Sequence, residues 1–137
     1  MAGFSTYLAN SVAAYTLNGS PIVSIPGRYF ALFTADPTDA FVTANEVQTG
    51  SNPWYARQAT GSWSAPSNGT TYNLNSVQFP PVTGAPVTVT HVGIVDAATG
   101  GNLLYSQALT TPKTLNINDV FVIDNGTGTG DCTINFL

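Results

Sequence analysis

The chain has 137 residues and a formal net charge of −4, a length that fits one domain able to bury a core without disulfides. Hydrophobic residues make up 43%, which excludes a disordered composition. Only Arg28, Arg57 and Lys113 are positive, which excludes a basic patch for nucleic acid or for a membrane surface, and no window approaches the roughly 18 apolar residues of a membrane span.

Charged residues are 7% of the chain, against about 25% in an ordinary soluble protein. Thr, Asn, Ser and Gly stand in their place. A surface so poor in charge fits cover by copies of itself or by other proteins; the alternative is a small, Thr/Asn-coated extracellular β-domain. Met1 to Thr16 lacks the basic start and continuous apolar core of a signal peptide, which predicts synthesis in a cytoplasm.

Residues 3–17 are the one helical candidate. Phe4, Leu8 and Val12 recur at i, i+4, i+8, Ser5 suits an N-cap and Gly19 a stop. So short a helix is marginal alone and must dock on its own sandwich or on a neighbouring subunit. Residues 18–27, with Pro21 and Pro26, read as a linker. Arg28 to Ala35 reads as the first core strand, closed by a turn at Asp36-Pro37-Thr38-Asp39. Phe41 to Pro53 is a longer loop carrying Glu46, and Trp54 to Ala59 is expected as a second strand.

Asn68-Gly69 marks a turn. Thr71 to Phe79 alternates with a parity slip at Asn75-Ser76, predicting a bulge or break. Val87 to Tyr105 is apolar enough for burial on both faces, and Asp96 to Gly101 supplies turn chemistry: an Asp to cap and a Gly pair for positive φ. It reads as the central antiparallel hairpin. Leu109 to Pro112 is expected as a connection. Leu115, Ile117, Phe121 and Ile123 share one parity, with a bend at Asp119. Asn125 to Gly130 reads as a hairpin loop, and Cys132, Ile134 and Phe136 alternate in a last strand. The whole reads as all-β: a single antiparallel β-sandwich domain over 1–137, jelly-roll-like, with one short N-terminal helix and the sandwich over 28–137.

The catalytic inventory is thin. One His and one Cys make no zinc site. His91 falls in a core strand, Cys132 reads as a small buried apolar residue, and there is no nucleophile elbow or phosphate loop. Asp36 and Asp39 lack the spaced carboxylates of a calcium loop. Glu46 is the acid outside the predicted turns, and its simplest role is a structural pair with Arg57. An aromatic platform for carbohydrate from Trp54, Tyr55, Trp63 and Tyr72 is an alternative use of those rings. No catalytic, metal or cofactor residues follow.

ALFTADPTDA (Ala31 to Ala40), YARQ (Tyr55 to Gln58), THVGIVDAATGGNLLY (Thr90 to Tyr105) and LTTPKT (Leu109 to Thr114) resemble small virion structural proteins of tailed bacteriophages, often labelled tail-fibre-like. FSTYLAN is similar to that family's opening helix. The sequence departs from it before YARQ, where SNPW replaces a Gly-rich segment, and in the NGTGTG loop and the Cys132 strand. The resemblance implies a non-enzymatic virion protein made in the host bacterial cytoplasm. Its partners would be copies of itself, as a homo-oligomer, and other virion proteins such as the major capsid protein. Capsid decoration, as a cement protein, is the first expectation. A tail, baseplate or short-fibre subunit is the second, and a carbohydrate-binding module the third. The expected interface residues are Phe4, Leu8, Val12, Phe41, Trp54 and Leu137.

Overall fold

A computed structural model describes residues 3–22, 24–125 and 133–135. In chain order these form β1 (Gly3–Phe4), α1 (Thr6–Asn18), β2 (Tyr29–Phe33), β3 (Gln58–Ala59), β4 (Thr70–Tyr72), β5 (Val77–Gln78), β6 (Val87–Val95), β7 (Leu103–Leu115), β8 (Val122–Ile123) and β9 (Thr133–Asn135), with a 3₁₀ turn at Thr43–Asn45. The fold is mostly β, with antiparallel sheets and one short helix, as an all-β sandwich requires.

The larger layer has the order β1-β7-β6-β2-β3, and two-stranded ladders β4-β9 and β5-β8 make up the other. Phe30, Leu32, Val89 and Ile94 of the large sheet share one core with Phe79, Val82, Phe121, Ile123 and Ile134. Tyr55 stacks on Phe79 at 6.3 Å, and Phe79 meets Phe121 edge-on at 5.9 Å. The opposite face of the sheet buries Ala31, Phe33, Val95 and Leu103, with Phe41 and Tyr29 packed over them. A sheet covered on both faces has no use for polar alternation. That is why β2 reads YFALF without a break.

The β6–β7 hairpin is the spine. Asp96 accepts from the Asn102 amide at 2.7 Å, and Gly100 and Gly101 adopt φ of 63° and 73°. Gly101 has no spare room, since an added Cβ would strike the Asp96 carboxylate. Leu109 to Pro112 lies within β7, not in a connection. The strand survives a proline because the register shifts there: Val89 pairs with Lys113 and His91 with Ala108, so Thr90 alone faces Leu109 to Pro112. Pro112, which has no N–H, sits where a bulge asks for none.

Two other boundaries differ from expectation, and the break expected at Asn75-Ser76 is present. α1 starts at Thr6 because Ser5, in extended conformation, caps it by accepting from the Leu8 amide, while Gly3–Phe4 pairs with β7. At the other end Gly19, at φ 69°, donates to the Ala14 carbonyl. Trp54 to Arg57 is not strand: the Tyr55 amide donates to the Asn52 carbonyl in a turn, and adjacent Trp54 and Tyr55 are both buried, which alternation forbids. Thr71 to Phe79 divides into β4 and β5 at a polar break, where buried Asn73 donates to the carbonyls of Asn75 and Asp124. The bend at Asp119 is present, closed by its carboxylate on the Asn116 amide at 2.8 Å. Ile117, beside it, points out of the core. Cys132 and Phe136 lie outside the described residues.

Candidate functional site

Glu46 enters the sheet through an isolated bridge with Phe33, and Arg57 follows the turn that buries Tyr55. The two side chains meet in a two-point contact: Arg57 Nε to Glu46 Oε1 at 2.7 Å and Nη2 to Oε2 at 2.8 Å. Their side chains are only 8% and 11% exposed. The Tyr55 hydroxyl donates to Glu46 Oε1 at 2.6 Å and accepts from the Leu32 amide at 3.2 Å. Burial, then the bond to Glu46, pushes the Tyr55 phenol far above its usual range. The Glu46 carboxylate likewise holds Arg57 charged.

Arg57 Nη1 has a second task. It donates to the carbonyls of Ala97 and Gly100, at 2.9 and 2.7 Å, and so pins the tip of the β6–β7 hairpin. Phe41 lies across the guanidinium at 5.9 Å and against Phe33 at 6.3 Å. It reaches there from a loop that holds both Thr38 and Phe41 at positive φ, 54° and 61°. Side chains with a Cβ adopt that region only when surroundings impose it; here Asp36 accepts from the Thr38 amide and the Asp39 carbonyl from the Thr6 amide. This cluster therefore ties ALFTADPTDA, YARQ and the hairpin tip into one unit. Its donors and acceptors answer each other, which suits bracing and leaves no free base or nucleophile.

The residues expected at an interface are scattered. Leu8 and Trp54, each 7% exposed, lie in the core, and the Trp54 indole donates to Asn52. Phe4 is half-buried edge-on to Tyr105, Val12 is half-buried beside Leu8, and Phe41 covers Arg57. Leu137 lies outside the described residues. The aromatic rings do not form a platform either. Tyr55 is buried, and Trp63 packs on Phe30 while donating to Thr60. His91 is half-buried in β6 with Nδ1 2.9 Å from the Thr90 hydroxyl. Among the described residues no group of three or more His, Cys, Asp or Glu converges as metal ligands do, and no helix is long and apolar enough to cross a membrane.

Part of what lies open is apolar. Tyr7, Tyr15 and Leu17 of α1 and Ile22 after it are exposed, as are Ile117 and Val120. Val120 also lines a groove of about 570 Å³ beside β7, with Leu109, Leu115, Phe121, Ile123 and Ile134. Tyr15, close to the Phe4, Leu8 and Val12 stripe by spacing, is exposed rather than docked, and Tyr7 and Leu17 lie off that stripe.

Residues 3–130 match the family described as Podophage GP4 fiber I protein gp80. No curated protein matches the chain.

Proposed function

The chain belongs to the podophage GP4 fiber I protein gp80 family, and from that premise we propose that it is a non-enzymatic subunit of a fibre-like appendage on the virion. At the coarser level it is a structural protein of a bacteriophage virion. The family's description as a fibre protein carries the finer reading. The braced sandwich supports it, since its one buried ion pair is spent internally and part of its open surface is apolar. Assembly through such a surface needs no cofactor: about 1,600 Å² of contact suffices for specific binding, and repetition multiplies it. The partners in this reading are copies of the chain and neighbouring virion proteins, and it folds in the host cytoplasm before assembly.

Capsid decoration is the second reading, with the major capsid protein as partner. It is favoured by the compact sandwich and the absence of a repeated shaft motif in these residues. Purified virions separated into heads and tails distinguish the two. Copies that stay with tails or fibres, in dozens or fewer, support the appendage; hundreds retained on isolated heads overturn it in favour of decoration.

A further inference from the structure

β7 is paired along only part of its outer edge. β1 covers Tyr105 and Ser106, and among the described residues no strand continues on that side beyond them. The groove of about 570 Å³ opens there, within the range of about 300–1,000 Å³ usual for ligand sites. It takes its lining from β7 between Tyr105 and Leu115, so it runs on the order of 30 Å along the strand. That length for that volume makes a narrow trough. Its buried lining is apolar, with Leu115, Phe121, Ile123 and Ile134. Its exposed lining includes Thr110, Thr111, Thr114 and Lys113.

A further strand is a poor occupant. Pro112 has no N–H to offer it, and the ladder beneath is irregular where the register shifts opposite Thr90. Both features blunt an edge against strand addition. An occupant is therefore held by side chains and not by main chain. Charge narrows it further. Lys113 is the one charged lining residue, and among the described residues no ion pair engages it. The acids that adjoin lining residues in sequence are turned elsewhere: Asp119 accepts from the Asn116 amide and Asp124 from the Ser76 hydroxyl. In a chain of net charge −4, an unpaired lysine beside an apolar trough favours a ligand with one anionic end and an apolar tail.

We propose that this groove binds a single-chain amphipathic anion, with its head at Lys113 and its unbranched tail running along β7 toward Leu109. The tail supplies most of the affinity by leaving water, an effect that grows with its length. Lys113, exposed and screened, supplies direction more than strength. A long-chain carboxylate and a monoacyl phosphate share this chemistry. The site rests on the groove alone and not on the virion reading.

Amide NMR of the full chain, titrated with decanoate, decyl phosphate, hexanoate and decanol, tests the site. Decanoate or decyl phosphate should shift the amides of Leu109, Thr111 and Ile123, and the tighter of the two names the head group. Leu17 and Leu74, exposed apolar residues outside the groove, should not move. Hexanoate should bind more weakly than decanoate, by up to about fourfold for each methylene lost. Lys113→Gln should weaken decanoate about threefold and leave decanol unchanged. No shift at millimolar decanoate or decyl phosphate, equal affinity for hexanoate, or unchanged decanoate affinity in Lys113→Gln overturns the proposal. Shifts at Leu17 and Leu74 as large as those in the groove do the same, since they mean unspecific coating. So do groove shifts that follow protein concentration without ligand, since a second copy then fills the trough. All of these outcomes leave the virion reading to be decided by copy number on separated heads and tails.

Discussion

Around Glu46 and Arg57 the protein keeps a full ion pair inside, with Tyr55 and two hairpin carbonyls completing its bonds. In α1 and the segment after it there is no charge at all, and only Leu8 of the helix is buried. The first region is over-determined: moving any one member leaves the others short of partners in a largely buried place. The second is held by a capping serine and a modest apolar contact, so most of its surface remains available. Bracing and availability are thus divided between two parts of one chain, and open apolar side chains fall where the fold needs least from them.

The largest break in that comparison is Arg57→Ala. It leaves Glu46 with only Tyr55 as partner and frees the hairpin tip. Stranding one member of a buried pair costs about 3 kcal/mol or more, about 10 °C in melting temperature for a domain of this size. Lys113→Ala removes an exposed charge and should stay within ±0.5 kcal/mol. Equal melting temperatures would show that the pair does not brace the fold. Gly101→Ala comes next, at about 2 kcal/mol, because it joins a left-handed φ to a collision with Asp96. Gly3→Ala, where an added Cβ meets nothing within 4 Å, should be nearly silent when both variants are unfolded in urea.

Tyr55→Phe removes the hydroxyl but keeps the ring on Phe79. Leaving the Leu32 amide and Glu46 without it costs about 1–2 kcal/mol. The pH dependence sharpens the point. The folded-state pKa of Tyr55 is raised, so the fold prefers the neutral phenol. The stability it contributes is fully present below the unfolded value of about 10 and is lost as pH rises beyond it. Tyr105, raised by burial, adds a loss of the same sign. Unfolding midpoints between pH 9 and 11 should fall less steeply in Tyr55→Phe than in the parent, by up to about 1.4 kcal/mol per pH unit. Parallel curves would remove Tyr55 from the account.

Much of the sandwich was legible because local chemistry and global fold agree. Asp96 with Gly100 and Gly101 wrote the hairpin, YFALF a strand covered on both faces, and Asp119 a bend. A single Glu, 11 residues before Arg57, made their pairing the simplest use of both. The failures have one physical cause, side chains used against the pattern of their neighbours. Pro112 reads as a break unless the register shift opposite Thr90 is known. Trp54 and Tyr55 read as a strand with one ring outward, yet a turn at Asn52 buries both. Two stripes share α1, and periodicity alone does not say which faces in; Leu8 docks against β7 and its neighbours, which leaves Tyr7 and Leu17 outside.

The smallest effect tests how firmly the helix is held. Ser5 accepts from the Leu8 amide and donates to the Leu103 carbonyl across the chain, so one hydroxyl both starts α1 and ties it to β7. Ser5→Ala should cost about 1 kcal/mol, whereas Ser11→Ala, whose exposed hydroxyl bonds only the preceding turn, should change little. The loss should be local. Amide hydrogen exchange of α1 should quicken in Ser5→Ala, while Ile94 and Val95 in the braced hairpin follow global unfolding in both proteins. Equal quickening in the hairpin and the helix would mean that the two regions open as one unit, and the division between bracing and availability would be wrong.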